Sequence, residues 1–527
     1  MTKKDSILLF VLALVFYSLF ATIQKEPGYM DAEYYFGQAL RIAHGNGLSE
    51  PFVWNYLSNP QSLPVPGFGF WMPLTSIISA AALWIAPSDS FFVARIPFII
   101  MAALLPLISS SLAYHLSHQR RSAWLAGGVT IAAGYYLPYI TITDNFLPYM
   151  LLGGSVFLTL YHIDLAGTKK RAVRLSIVAG VIVGLMCLTR SDGMIWIITS
   201  GAGLWLSRKK NKLSNYRILN NLCFFLIGVG IVFTPWMVRN YFIYQNLFPP
   251  ANGRMLWLTN YDDLFVYPAS EITFSGFWSM GVGNLLFDRL RALGSNIQTL
   301  VASGGNIFLF PLILLGWWKY RKELISKTTT ITFLSILFVM SIFFPYAGER
   351  GGFFHSLSSI QLFLWALVPM GLEVVIRWGI AHRKWKLDRS WRMFGTAIMV
   401  VSLCLSVFLV TEKIRNGVEN GIPWNQSSAE IKEAEMVLQR ANASTSDVIM
   451  TNNPPAAYLY TGRSAVMIPT GGSGAILNAA DLFKVRYLTL NEERQEIKEL
   501  FAKDEQLKAN FGLIYDKEGL SVYEYQP

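Results

Sequence analysis

The sequence predicts a mainly α-helical protein that crosses a membrane about eleven times and carries a small α/β domain at its C-terminal end. Three observations lead to this fold class. Of the 527 residues, 53% are hydrophobic and only 15% are charged, whereas a soluble domain carries roughly a quarter charged residues. Apolar runs approach the length that a bilayer requires. After residue 411 the chain becomes polar and acidic. A soluble protein is therefore excluded.

Eleven apolar segments are predicted to span the membrane. Several are shorter than the ~20 residues that cross ~30 Å of hydrocarbon, so their ends are approximate. The predicted spans are 7–22, 92–116, 122–141, 146–162, 174–189, 194–207, 219–237, 300–318, 328–346, 357–376 and 393–411. Segment 67–86 is also apolar, and we interpret it as interfacial or re-entrant, because a further span there would invert the orientation of all later ones.

Basic residues predict the orientation of these spans. Lys3 and Lys4 precede the first span, and no clear cleavage site follows it, which favours a retained helix with a cytoplasmic N-terminus. The basic runs 169–174 and 377–392 then lie in cytoplasmic loops, as the positive-inside rule requires. The net charge of +11 is thus interpreted as an orientation signal and not as a nucleic-acid surface.

An odd number of spans places residues 412–527 on the extracytoplasmic side. This segment alternates charged and apolar stretches, which predicts a small α/β domain. Helices are predicted near 428–441 and 491–503, and strands at 447–450, 465–468, 485–490, 511–515 and 520–523. The sequence therefore divides into a transmembrane module, 1–411, and an extracytoplasmic domain, 412–527.

Two predicted outer loops, 25–91 and 238–299, are far longer than simple connections and are rich in aromatic residues. The first begins with Asp31 and Glu33, directly after the first span. A carboxylate fixed at a helix start can serve as a general base or a metal ligand, although it can equally cap that helix. Asp144, at the outer turn before the fourth span, has the same two interpretations.

The basic residues predicted on the outer side are nearly all arginines: Lys25, Arg41, Arg95, Arg190, Arg239, Arg254, Arg289, Arg291 and Arg350. The planar guanidinium suits phosphate recognition near a low-dielectric boundary. Arg190, Arg239 and Arg350 lie at or near span ends, and His355 follows the last of them. Each arginine alone is also explained by an interfacial position or by an ion pair, of Arg190 with Asp192 and of Arg350 with Glu349. His355 alone is also explained by a structural role. Together with the outer acids, they predict a site for a phosphate-bearing ligand at the membrane surface.

Several short motifs accompany this layout: the acidic pair after the first span, Leu63-Pro64-Val65-Pro66 followed by Trp71-Met72-Pro73-Leu74, Ala94-Arg95-Ile96-Pro97, Leu188-Thr189-Arg190, and Pro235-Trp236 with Arg239-Asn240. Over roughly residues 1–411 this arrangement resembles the GT-C superfamily of integral-membrane glycosyltransferases. It is most similar to the branch that contains the protein O-mannosyltransferases and the aminoarabinose transferase of lipid A.

The resemblance implies an enzyme of a bacterial or archaeal plasma membrane. Such an enzyme takes a sugar from a polyprenyl-phosphate donor and passes it, usually with inversion, to an extracytoplasmic glycan, lipid or protein acceptor. The catalytic base of the family maps onto Asp31 and its second acid onto Asp144. These two acids are also the candidate ligands of a divalent cation, Mg²⁺ or Mn²⁺. The expected substrate-binding residues are Glu33, Asp144, Arg190, Arg239, Arg350 and His355. Many members have adjacent Asp and Glu where this chain has Asp31-Ala32-Glu33.

Three alternatives stay open. A transporter or flippase of lipid-linked sugars would place ionisable residues in mid-span and show repeated halves, and neither is evident in the sequence. A sugar-chain polymerase or ligase would also use outer arginines but would not require Asp31. A noncatalytic envelope scaffold would only display the C-terminal domain.

Overall fold

The structure is a computed structural model that describes residues 1–211, 215–417, 422–491, 495–517 and 519–526. Its first part is a helical bundle that ends at Asn416. A six-stranded sheet with its own helices sits on one end of this bundle, which we call the domain face. The predicted mainly helical fold with a C-terminal α/β domain is confirmed.

Eighteen helices within the described residues make up the bundle and its loops. They are α1 (Lys3–Ala21), α2 (Met30–Ala43), α3 (Leu74–Ile85), α4 (Phe91–Ser117), α5 (Arg120–Ala132), α6 (Leu137–Ile140), α7 (Phe146–Asp164), α8 (Lys169–Thr189), α9 (Met194–Asn211), α10 (Asn215–Tyr244), α11 (Pro250–Arg254), α12 (Phe274–Ser279), α13 (Val282–Thr299), α14 (Phe310–Tyr320), α15 (Leu324–Phe338), α16 (Pro345–Ala347), α17 (Phe353–Arg383) and α18 (Leu387–Asn416).

Eight helical segments, counted over the described residues, are long and apolar enough to cross a membrane. They coincide with eight of the eleven predicted spans. The other three predicted spans fall on α5, α9 and α14, which are shorter or more polar. Large apolar side chains such as Leu19 and Phe408 are exposed on the outside of the bundle, as expected for a surface that faces lipid. The chain is an integral membrane protein.

The predicted span 122–141 is not one continuous helix. Helix α5 ends at Ala132 because Ala133 and Gly134 both have positive φ, 57° and 54°, a conformation that a right-handed helix cannot continue. A side chain at position 134 would overlap Asn306, so glycine is required there. The chain then turns through the short helix α6 and a buried stretch, residues 141–145, that contains Asp144 and leads into α7.

The apolar segment 67–86 contains only one short helix, α3, of 12 residues. Twelve residues rise about 18 Å, which is less than the ~30 Å hydrocarbon layer. Helix α3 packs against α2 and α4, and its polar residue Ser76 donates a 3.0 Å hydrogen bond to the carbonyl oxygen of Tyr35. This segment therefore supports α2 from the side instead of crossing the membrane.

The C-terminal domain contains helices α19 (Ala429–Arg440), α20 (Pro454–Thr461), α21 (Ser473–Phe483), α22 (Gln495–Lys503) and α23 (Glu505–Asn510). The strands of the chain are β1 (Ser49–Glu50), β2 (Phe52–Val53), β3 (Val65–Pro66), β4 (Val448–Thr451), β5 (Ala465–Met467), β6 (Val485–Leu490), β7 (Phe511–Lys517) and β8 (Leu520–Tyr525). All five strands predicted after residue 411 occur within two residues of their expected ends. Part of the helix predicted near 491–503, residues 492–494, lies outside the described residues.

The main sheet has the strand order β2-β5-β4-β6-β8-β7. The first four strands are parallel, and β8 and β7 are antiparallel to their neighbours. Strand β2 comes from the first long loop, residues 25–91, where Phe52 pairs with Ala465. The loop and the C-terminal domain therefore form one hydrogen-bonded unit.

A second contact ties this domain to the residues just before α2. The indole nitrogen of Trp424 donates a 2.8 Å hydrogen bond to the carbonyl oxygen of Glu26. Gly28 has φ +90°, and a side chain there would overlap the Trp424 ring. The start of α2 is thus packed directly beneath the domain.

Candidate active site

Three residues proposed from the sequence meet at the domain face of the bundle: Asp31, Asp144 and His355. Asp31 lies in the first turn of α2, Asp144 lies two residues before the start of α7, and His355 lies in the first turn of α17. One ligand atom from each lies within 4.8 Å of the other two. His355 Nε2 is 3.8 Å from Asp31 Oδ2. Residues far apart in the chain therefore form one cluster.

Helix α2 starts two residues earlier than the capping interpretation of Asp31 requires. The N-cap position belongs to Tyr29, with an extended backbone, and Asp31 is the second helical residue. A carboxylate in the first turn is favoured by the helix dipole. The Asp31 side chain is partly accessible in this turn.

Asp144 is held by hydrogen bonds from both sides. One carboxylate oxygen accepts from the Tyr29 hydroxyl and the other from the backbone amide of Asn145. The hydroxyl of Thr143 donates a 2.9 Å hydrogen bond to the carbonyl oxygen of Ala32. The turn before α7 is thereby fastened to the first turn of α2. Asp144 is fully buried, and burial raises the pKa of its carboxyl above the usual range.

The orientation of His355 follows from its neighbour Asn145. Asn145 Nδ2 donates to the Tyr35 hydroxyl at 3.1 Å, so Asn145 Oδ1 is the atom that faces His355 Nδ1, at 2.7 Å. Nδ1 must then carry the proton, since an amide oxygen only accepts. The lone pair on Nε2 points toward the acids. The imidazole also stacks on Phe146, with ring centres 3.7 Å apart, which fixes the plane of the ring.

Arg190 borders this cluster from the turn after α8. It forms a 2.8 Å ion pair with Asp192, as its interpretation from the sequence proposed, and also donates to the carbonyl oxygen of Gly352 at 3.5 Å. Asp192 in turn accepts a hydrogen bond from Ser356, one residue after His355. The charge of Arg190 acts on Asp144, where it favours the ionised carboxylate. A half-buried cation, fixed by Asp192 and Gly352, thus lies near Asp144 and His355.

Glu33 lies on the other side of α2. Two helical residues are about 200° apart around the helix axis, so Asp31 and Glu33 face opposite ways. Glu33 is fully buried and accepts a 2.8 Å hydrogen bond from Asn453 Nδ2 of the C-terminal domain. The structure therefore places Glu33 in the contact with the domain and not in the acid cluster.

The two remaining predicted arginines lie in separate places. Arg239 donates to the carbonyl oxygen of Gly67 at 2.7 Å and stacks over Trp236, with 4.6 Å to the ring centre. Arg350 is exposed and lies 5.1 Å from the ring centre of Tyr261. Its neighbour Glu349, the suggested ion-pair partner of Arg350, pairs with Arg291 at 2.8 Å instead.

The donor atoms of the cluster fit a divalent cation. They comprise two carboxylates and one imidazole whose unprotonated nitrogen faces the acids. The Asn145 oxygen takes the hydrogen-bonding role that a second group commonly plays behind a metal-ligating histidine. An imidazole ligand favours Mn²⁺ or Zn²⁺ over Mg²⁺, which prefers oxygen ligands alone.

Three further residues shape this region and were not singled out from the sequence: Tyr29, Asn145 and Glu50. Asn145 is adjacent to Asp144, so its position in the chain is a weak signal. Glu50 is a buried carboxylate in the first long loop, and it accepts hydrogen bonds from the Tyr34 hydroxyl and from the Phe68 amide. Nothing in the spacing of Glu50 indicates that it is buried.

The chain matches no protein-family model and no curated protein. It does match solved membrane-protein structures. ArnT from Cupriavidus metallidurans, bound to undecaprenyl phosphate, superposes with a TM-score of 0.60 at 11% identity, over 99% of this chain and 98% of that one. The Archaeoglobus fulgidus oligosaccharyltransferase in complex with Zn and sulfate gives 0.59 at 13% identity, over 98% and 72%.

The same archaeal enzyme, AglB, in complex with an inhibitory peptide and a dolichol-phosphate gives a TM-score of 0.55 at 12% identity, over 99% of this chain and 74% of that one. ArnT and AglB are membrane glycosyltransferases of the GT-C type. The chain has the GT-C fold, and this part of the resemblance found in the sequence is confirmed.

Proposed function

We propose that the chain is a glycosyltransferase that moves a sugar from a polyprenyl-phosphate donor to an acceptor on the extracytoplasmic side of the membrane. The observation that carries the proposal is the meeting of Asp31, Asp144 and His355 beside Arg190, at one end of a GT-C fold. Solved proteins of this fold bind undecaprenyl phosphate or a dolichol-phosphate. The positive-inside rule supports an extracytoplasmic domain face.

In this proposal Asp31 is the general base. Its carboxylate accepts the proton of the acceptor hydroxyl while the hydroxyl oxygen attacks the anomeric carbon. The bond from that carbon to the phosphate oxygen breaks, and its electron pair leaves with the polyprenyl phosphate. A single displacement of this kind inverts the anomeric configuration. Asp31 suits the role because it is the accessible acid of the pair, whereas Asp144 is fully buried.

The other residues bind and orient. Arg190 is fixed by Asp192 and Gly352, so its positive charge is preorganised to stabilise a departing phosphate. Arg350 is exposed two residues before Gly352 and would be a second cation for the same group. Asp144 and His355 hold the geometry of the acid cluster. A divalent cation bound by Asp31, Asp144 and His355 would supply further positive charge at this position.

Transfer of labelled sugar in proteoliposomes tests the proposal. A panel of polyprenyl-phosphate sugars is offered to the wild type, to Asp31→Asn, and to Asp262→Asn, which alters an exposed aspartate of another loop. We expect transfer by the wild type and by Asp262→Asn, and a loss of at least about 100-fold in Asp31→Asn, since a general base contributes about 10²–10⁴-fold. A parallel series with a chelator tests the metal.

Two results would contradict the proposal. Full activity in Asp31→Asn would show that Asp31 is not the general base, and would favour a polymerase or ligase. Movement of intact lipid-linked sugar across the bilayer, with no transfer from any donor, would favour the transporter.

A further inference from the structure

A cavity of about 220 Å³ lies in the first long loop, next to the end of α10. Its inner wall is formed by the buried side chains of Glu50, Phe52 and Trp54. Its rim carries exposed or half-exposed amides and hydroxyls from a turn of the same loop: Asn55, Ser58, Asn59, Gln61 and Ser62. We call this cavity the loop cleft. It combines aromatic surface with many neutral hydrogen-bonding groups.

The buried residue Glu50 lines the loop cleft. Glu50 is only 6% exposed and accepts two hydrogen bonds, from the Tyr34 hydroxyl and the Phe68 amide. Both of these hydrogen bonds end on Oε1. Since Glu50 also lines the cleft, Oε2 is the oxygen that can bind a ligand there. A carboxyl in this position can form hydrogen bonds with hydroxyl groups.

A series of ring contacts connects the loop cleft to the acid cluster. Trp54 stacks on Trp71, with centres 4.1 Å apart and planes at 10°. Trp71 in turn lies 6.2 Å from the ring centre of Tyr35, whose hydroxyl accepts a hydrogen bond from Asn145. Two ring layers therefore separate the cleft from the residues that hold Asp144 and His355. A ligand in the cleft lies near the reacting groups but not against them.

The chemistry of the cleft selects among ligand classes. A phosphate is disfavoured, because no described residue that lines the cleft is a lysine or an arginine, and the nearby guanidinium of Arg239 is engaged with Gly67 and Asn240. A lipid tail is disfavoured by the amides of the rim. The volume is below the ~300–1,000 Å³ of sites for drug-sized molecules, which suits a single small ring. A sugar ring offers an apolar face for the aromatic wall and hydroxyl groups for the amides and the carboxyl.

We propose that the loop cleft binds one sugar ring of a glycan acceptor, at a position removed from the hydroxyl that reacts at Asp31. This inference rests on the proposed glycosyltransferase function and adds the acceptor class to it. The glycan would extend from the cleft past Trp71 to the acid cluster, so that binding energy from an unreactive sugar unit helps to position the reactive one.

The test is binding of oligosaccharides by the purified full-length protein in nanodiscs free of glycolipid. An array of immobilised glycans identifies a ligand, and titration then gives its Kd for the wild type and four variants. Gln61→Ala shortens an exposed rim side chain, and Trp54→Leu removes the stacked wall. Gln506→Ala alters an exposed glutamine of the C-terminal domain and is the matched control. Asp31→Asn tests whether the protein still binds the glycan when transfer is lost.

We expect Gln506→Ala to bind the glycan as tightly as the wild type and Asp31→Asn to retain measurable binding. Gln61→Ala and Trp54→Leu should bind it about tenfold more weakly or worse, as the loss of ~1.4 kcal/mol predicts. Binding that survives in both cleft variants, or an array with no bound glycan, would overturn the inference. Transfer to a non-glycan acceptor would do so while leaving the proposed function intact. Glycan binding without any transfer would instead refute the proposed function alone.

A final arm separates the two sources of a sugar ring. A short-chain polyprenyl-phosphate sugar is added as a competitor. If the donor displaces the glycan, and loses affinity in Trp54→Leu, the cleft belongs to the donor and the acceptor assignment is wrong. If donor and glycan bind together, the assignment stands.

Discussion

Asn453, in the C-terminal domain, donates a 2.8 Å hydrogen bond to the buried carboxylate of Glu33, two residues along α2 from Asp31. Asn453 also caps helix α20, since its side-chain oxygen accepts from the amide of Ala456. One side chain therefore starts a helix of the domain and holds a helix of the bundle. This contact holds α2 on the side opposite to the acid cluster that contains Asp31.

Asn453→Asp should destabilise the protein although aspartate is an equally good helix cap. The change keeps the oxygen that faces Ala456 and replaces the donor to Glu33 by a second carboxylate. We expect a loss of ~1–3 kcal/mol in the free energy of unfolding, seen as a lower Tm in detergent. Asn284→Asp, at an exposed asparagine, is the control. Equal Tm values for the two variants would show that the contact is dispensable.

Asn145→Ala should weaken metal binding without removing a ligand. The variant loses the oxygen that keeps the proton on His355 Nδ1, so Nε2 no longer faces the acids in its unprotonated form. Loss of such a supporting group typically costs 10–100-fold in affinity, and we expect about that loss for Mn²⁺. Titration followed by electron paramagnetic resonance measures it, with Asn284→Ala as control. Unchanged Mn²⁺ affinity would argue against the assigned tautomer.

Stability should depend on pH through Glu50. Burial raises the pKa of this carboxyl from its ordinary 4.5 to about 7. Between these values the folded protein keeps a proton that the unfolded chain has released, so this contribution to stability is complete below about pH 4.5 and is lost as the pH rises through 7. We expect Tm to fall from pH 5 to pH 8 in the wild type and to fall less in Glu50→Gln. Glu505→Gln, at an exposed position, should behave as wild type, and a slope that Glu50→Gln leaves unchanged would contradict this assignment.

Arg190→Lys should lower kcat more than it raises KM for the lipid-linked donor. Lysine keeps the charge but loses the planar group that binds Asp192 and Gly352 together. By analogy with the removal of one preorganised donor, we expect kcat to fall by about 10²–10³-fold. Steady-state transfer assays measure the effect, and Arg486→Lys in the C-terminal domain serves as the control. A change in KM alone would assign Arg190 to ground-state binding.

Much of the fold could be predicted because crossing a bilayer and forming a sheet each require a recognisable pattern of hydrophobic residues in the sequence. Apolar length located eight helices that can cross the membrane, and alternating apolar runs located the five C-terminal strands. The break after α5 could not be predicted, since Ala133 and Gly134 lie within an apolar stretch and their positive φ depends on packing against Asn306. Strand β2 has two residues, too few for any periodicity.

The candidate site was predictable in part. Asp31 and Asp144 stand out because an isolated acid beside a predicted span is conspicuous, and Arg190 because it lies in a tight turn. The sequence could not show that His355 reaches Asp31 or that Glu33 faces away, since both depend on how α17 and α2 are rotated. Glu50 and Asn145 gain their importance only from neighbours that are distant in the chain.

Strand β2 also has a consequence for the order of events during synthesis. The Tyr56 hydroxyl donates to the carbonyl oxygen of Met467, 411 residues later in the chain. Strand β2 likewise pairs with β5, which is made long after it. While the ribosome makes the intervening helices, the first long loop has no sheet to join and exposes an unpaired strand, which invites aggregation. The contacts that join the first long loop and α2 to the C-terminal domain, among them the hydrogen bond from Asn453 to Glu33, can therefore form only after that domain has been made.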